Sequence, residues 1–242
     1  MLSAVGAAAS PRMPGASGAP SGPILHHLAS SESLNPYAVA VARPKVIAEA
    51  VLLDQLLQAF ADLGYHGISL RELCRHLGIS HNLIHRRYES KEAAWKAAVD
   101  HGFQQLATEL EVPSDLVDAD PLERLRAVML QYAQATMKNP ALTRIIQQEA
   151  ARPGPRFEYM FSRYVGPTRE NSARVLEALQ DLGVVREGAV ETVYFFLTTW
   201  GIGGLASAPE QIRNALRQGP SETTLARLAV DVVIDGLRVQ NH

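Results

Sequence analysis

The stretch from Ser69 to Lys91, SLRELCRHLGISHNLIHRRYESK, constrains the fold more tightly than any other part of the chain. Ser69 and Glu72 have the S-x-x-E spacing of a capping box, in which each residue satisfies the other's backbone N–H, so a short helix starts there. Leu70, Leu73, Cys74 and Leu77 recur at helical spacing, and Gly78 then supplies the left-handed residue at which a helix can stop and turn. Ser80 is an N-cap for a second short helix, whose inward residues Ile84 and Tyr88 are four apart and leave Ser80, His81, Asn82, His85 and Arg86 outside. Ser90 opens a third helix. Two short helices joined by a tight turn are a helix-turn-helix, and a polar outer face on the second suits the major groove of DNA.

The surrounding residues extend the pattern. Phe60, Gly64, Leu73-Cys74, Leu77-Gly78-Ile79-Ser80, Ile84 and Tyr88-Glu89-Ser90-Lys91-Glu92, within about Pro44 to Phe103, resemble the DNA-binding domain of the tetracycline-repressor (TetR) family. The resemblance implies that His81, Asn82 and Arg86 stand where base-edge contacts are made, with Arg71 a further candidate from the preceding helix. It also implies phosphate contacts from Ser69, His85, Arg87 and Lys91. Arg86 suits bidentate recognition of guanine and Asn82 that of adenine. Three features depart from the family's pattern: His85 replaces a usual tyrosine, Leu83 a small hydroxyl or amide residue, and Gln55-Leu56 an Ala-Ala pair. A neutral imidazole at 85 still has one N–H to donate to phosphate.

With 242 residues and a formal net charge of −2, the chain does not coat nucleic acid along its length, so its DNA contact must be local. Arg71, Arg75, Arg86, Arg87 and Lys91 against Glu72 and Glu89 make that patch. The single cysteine, Cys74, excludes an internal disulfide framework and fits a reducing, cytoplasmic location. Residues 1–43 are rich in Ala, Gly, Ser and Pro and read as a disordered arm, without the positive start and apolar run of a signal peptide. No stretch offers ~20 continuous apolar residues, so no membrane partner is expected. The domains expected are residues 44–103, a three-helix DNA-binding unit, and 104–242, a helical ligand-binding and dimerisation unit.

The expected fold is all-α throughout. After a first helix from Lys45 to Leu63, and beyond Pro113, helical periodicity marks segments at 121–138, 140–151, 155–182, 187–206, 209–217 and 222–239. Gly166-Pro167 inside 155–182 predicts a kink or a break. Segment 222–239 has two apolar faces, one with Leu225, Leu228, Ala229, Val232 and Gly236 and the other with Val230, Val233, Ile234 and Leu237. In the family the last two long helices form a four-helix dimer interface, so a homodimer is implied.

The resemblance further implies a small-molecule inducer pocket in the second domain. Candidate lining residues are Phe103, Met129, Tyr132, Glu149, Tyr159 and Phe195, each of which also fits an ordinary core or, for Glu149, an ion pair. No catalytic motif, cofactor-binding loop or metal cluster is expected; His81 and His85 share a face without an acidic or thiol neighbour. The function implied is a regulator, a repressor that holds a palindromic double-stranded DNA operator as a dimer and is released by its inducer. The alternative is a helical small-molecule or lipid-binding scaffold without specific DNA binding.

Overall fold

The computed structural model describes residues 48–110, 119–208 and 221–239; the expected arm at 1–43 and the segment 209–217 lie outside them. Helix α1 (Glu49–Leu63) ends at Gly64, whose φ of 69° is open to glycine at no steric cost. The capping box forms as expected: Ser69 Oγ accepts from the Glu72 amide while Glu72 accepts from the Ser69 amide, opening α2 (Leu70–His76). Gly78 turns the chain with φ 64°, and the Ser80 hydroxyl caps α3 (His81–Tyr88). Ser90 then caps α4 (Lys91–Glu109).

The remaining described residues form five further helices. Asp120 caps α5 (Pro121–Lys138), whose proline takes a first-turn position where no amide is needed. Helix α6 is Ala141–Ala151. Helix α7 runs without a break through Pro155–Met160, a wider π-helical turn at Phe161–Val165, and Gly166–Asp181. Helix α8 is built alike, with Val190–Phe196, a π-helical stretch Leu197–Ile202, and Gly203–Ser207. Helix α9 spans Glu222–Leu237, capped by Ser221. It stops short of the expected 239 because Arg238 turns extended and bridges to Val185, where the Arg186 amide donates to the Leu237 carbonyl.

Burial sorts these helices into two cores. The first joins α1–α4 around Phe60, Leu73, Ile84 and Trp95, and takes in Leu142 and Ile145 of α6. The second joins α5, α7, α8 and α9 around Met129, Leu176, Tyr194 and Ile234. Helices α8 and α9 keep an apolar outer face: Val193, Phe196, Leu197 and Trp200 on α8, Leu228 and Val232 on α9, with Val232 63% exposed. The periodicity of α9 is thus realised with Val230, Val233, Ile234 and Leu237 inside.

The break that Gly166-Pro167 allows does not occur. A proline in a helix lacks the amide that bonds four residues back, and its ring crowds that carbonyl. Here the preceding turn widens, the Gly166 amide bonding five residues back to the Phe161 carbonyl, and the helix passes through. The close approach demands glycine, because a Cβ at 166 would stand 2.9 Å from the Phe161 carbonyl oxygen. An interior Gly→Ala change ordinarily stabilises a helix by about 0.5–1 kcal/mol. Gly166→Ala is expected to reverse that sign and lower stability by about 1–2 kcal/mol, read from urea unfolding; a stabilised variant would show that the widened turn is not enforced.

Candidate DNA-reading face and effector cavity

Helix α3 is held by its inner side and bare on its outer side. Ile84 is fully buried and Tyr88 nearly so, while Leu83 packs part-buried against the same core. The Tyr88 hydroxyl donates to Glu49 at 2.8 Å, which ties α3 to the start of α1, and burial with this contact pushes the phenol up to about 12. His81, Asn82, His85 and Arg86 face outward, and Arg71 projects from α2. The four expected base-edge candidates, Arg71, His81, Asn82 and Arg86, are all exposed; the two histidine rings stack with centroids 6.1 Å apart.

The four expected phosphate contacts are placed differently, each already engaged within the protein. The Ser69 hydroxyl donates to Glu72 at 2.7 Å, and this bond is the main cause holding the Glu72 carboxyl below its ordinary range. Arg87 pairs with Glu49 at 3.3 Å. Lys91 Nζ donates to the Tyr65 carbonyl and lies over the Tyr65 ring, where desolvation and then Arg156 lower its pKa. His85 Nδ1 lies 2.9 Å from the Glu89 carbonyl, so that nitrogen must carry the proton. The expectation of a free N–H on neutral His85 is therefore corrected: only the imidazolium has a second N–H, at Nε2, for a phosphate. Glu89 itself takes φ 61°, the positive-φ non-glycine residue of the α3–α4 turn.

Between α4, α5, α6, α7 and α8 lies a cavity of about 680 Å³. Phe103, Met129, Tyr132 and Phe195 line it, and Phe103 stacks on Tyr164 with centroids 4.2 Å apart. Glu149 and Tyr159, expected beside them, are not in its wall. Glu149 is buried in an ion pair with Arg156 at 2.9 Å, and Arg156 spreads over the Tyr65 ring. Tyr159 donates to Asp100 at 2.8 Å, as does Tyr164 at 2.7 Å. Residues five apart face different ways on an α-helix; the wider turn at Phe161–Val165 brings both hydroxyls onto one carboxylate.

Residues 52–98 match the model of the bacterial regulatory proteins, tetR family. The chain carries a tetR-family helix-turn-helix domain. The nucleoid occlusion factor SlmA of Vibrio campbellii is 28% identical over 102 residues, covering 40% of this chain and 52% of that protein. The chain thus spans about half the length of this curated relative. Two solved structures share the fold over 81% of the chain: a tetR-family regulatory protein from Rhodococcus RHA1 (TM-score 0.64, 17% identity, all of that chain), and the ketosteroid transcriptional regulator KstR2 of Mycobacterium tuberculosis (TM-score 0.62, 21% identity, 98% of that chain). The all-α fold, with its N-terminal helix-turn-helix domain and C-terminal helical domain, is shared with these two solved structures.

Sequence reasoning missed several cavity residues of the helical domain that follows the tetR-family domain, among them Thr143, Thr198 and Thr199. Threonines on otherwise apolar helix faces were the available signal, since a buried hydroxyl needs a partner. Burial pushes the Tyr132 and Tyr194 phenols up to about 12. A phenol raised above its unfolded value of about 10 keeps its proton longer in the folded state, so its contribution is complete below that pH and lost as pH rises toward 12. Thermal unfolding between pH 9 and 12 should therefore show stability falling. Tyr132→Phe should flatten the fall by about 2 kcal/mol across the interval, and an unchanged slope would mean the phenol is solvated.

Proposed function

We propose that the chain is a cytoplasmic, homodimeric transcriptional repressor of the tetR type that binds a palindromic double-stranded DNA operator and is released by a small molecule entering the cavity. The observation that carries this reading is the outward, exposed set of His81, Asn82 and Arg86 on a capped helix, with Arg71 exposed on the preceding one. A donor-rich short helix of this kind suits base edges in a major groove. The reader is residues 44–103 and the effector and pairing domain 104–242.

Dimerisation is supported by the apolar outer faces of α8 and α9. A two-fold axis through such a face sets the same patch of two copies against each other and presents two reader helices to successive grooves, roughly 34–36 Å apart. Release is supported by the walls of the cavity, which include Phe103 and Leu106 of α4 and Leu142 and Ile146 of α6. Helix α6 is fastened to α1 by Arg144 on Asp62 at 2.6 Å and by Gln148 on the Ala61 carbonyl at 2.7 Å. A ligand that parts α4 from α6 therefore moves the reader with α1. By reciprocity, operator DNA weakens that ligand by the same factor.

Selection of duplexes from random DNA by the purified chain tests the reading, with sedimentation giving the stoichiometry. A palindromic site bound by two chains is expected. Arg86→Ala and Asn82→Ala should each cost about 1–3 kcal/mol on the selected site and far less on a scrambled one. Equal losses on both duplexes, or selection of no preferred sequence, would leave the scaffold reading in its place.

A further inference from the structure

The interior of the cavity is chemically one-sided. Its charged lining groups stand at the rim, exposed or part-exposed, and most already have partners: Lys138 with Glu109 at 2.6 Å, Arg169 with Glu191 at 3.9 Å, and Asp54 with His101 and Gln105 at 2.9 Å each. Rim Arg163 donates to the Tyr164 hydroxyl at 3.1 Å. The described lining residues include buried or part-buried hydroxyl groups, those of Tyr132, Tyr194 and Thr198. The Thr198 hydroxyl oxygen is buried without a hydrogen-bond partner. It tempers the rise of the neighbouring Tyr194 phenol without reaching bonding geometry, and Tyr194 is itself only 7% exposed. The Tyr132 side chain lines the same cavity, and burial raises its phenol as it does that of Tyr194. Gly203 of α8 stands close to two lining residues, since a Cβ there would meet the Thr143 methyl at 3.0 Å and the Tyr132 oxygen at 3.3 Å.

We propose that the cavity takes an uncharged, largely apolar molecule bearing a carbonyl oxygen, with that oxygen received by the hydroxyls of Tyr132, Tyr194 and Thr198. The inference rests on the proposed effector role of this cavity and names its ligand's chemistry. Three physical points carry it. A volume of about 680 Å³ walled by Met129, Phe103, Leu106 and Ile146 matches an apolar organic molecule. The buried Thr198 hydroxyl, left without a protein partner, is costly unless the ligand supplies an acceptor, which a carbonyl does and a hydrocarbon does not. Among the described lining residues every acid and base is exposed or part-exposed, so a charge carried away from them would be stripped of water without recompense. Phenols that keep their protons to about pH 12 remain donors throughout the neutral range.

Calorimetric titration of the full chain at pH 7.5 with three probes of one shape tests the proposal: 2-acetylnaphthalene, 2-ethylnaphthalene and 2-naphthoate. The ketone should bind about tenfold or more tightly than either the hydrocarbon or the carboxylate. Tyr132→Phe combined with Tyr194→Phe keeps the apolar volume and should remove that preference by weakening the ketone alone, with the melting curve at pH 7.5 showing a folded protein. Equal affinity for ketone and hydrocarbon would overturn the proposal, as would no detectable binding of the ketone. Tighter binding of 2-naphthoate, lost in Arg163→Ala, would overturn it in favour of an acid recognised at the rim. These titrations contain no DNA, so they remain readable if operator selection fails, and a failed ketone preference leaves the DNA result untouched.

Discussion

Helices α1, α4 and α6 meet at Gly102, and the placement of the reader depends on that junction. A Cβ at 102 would stand 2.9 Å from Leu57 Cδ2 on α1 and 3.4 Å from Leu142 Cδ1 on α6, so glycine sets how closely the three helices approach. Leu57 and Leu142 are buried there, and packing of this density transmits displacement rather than absorbing it. The polar bonds of Arg144 and Gln148 then fix α6 along α1, and Gly102 itself forms part of the cavity wall. One glycine is thus common to the reader's scaffold and to the space where a small molecule fits.

Much of this was legible in the residues because its causes are local. Capping serines at 69, 80 and 90 and glycines at 64 and 78 mark helix ends through bonds made within four residues, and each end lies where those residues place it. The paired apolar faces of α9 follow from a strict period, which burial then divides into an inner and an outer set. What escaped the sequence depends on partners distant along the chain. Glu149 meets Arg156 one helix on, and Tyr159 meets Asp100 on α4, so neither reaches the cavity that their neighbours line. The acceptors that engage Lys91 and Arg87, the Tyr65 carbonyl and Glu49, come from outside the motif altogether.

The π-helical turns escaped for a different reason. A 3.6-residue period carries no mark of a turn that holds one residue more, and Gly166-Pro167 points only to an obstacle. The widened turns solve that obstacle in α7 and place Tyr159 and Tyr164 on Asp100. In α8, Leu197–Ile202 carries both Thr198, turned toward the cavity, and Trp200 on the exposed side. Helices α7 and α8, each with such a turn, both contribute residues to the cavity wall.

The internal engagement of Lys91 and Arg87 bears on how ionic strength would act on the reader. Small cations condensed on duplex DNA are released when protein cations take their place, and log affinity falls with log salt in proportion to the number of phosphates neutralised. A lysine held on a backbone carbonyl and an arginine held on a glutamate meet a phosphate only by exchanging one partner for another. The exchange with Glu49 uncovers an anion as it neutralises one, so ion release there is offset at its source. The steepness of the salt dependence would then be set by exposed cations with no carboxylate partner among the described residues, Arg71 and Arg86, rather than by the full positive count between Ser69 and Lys91.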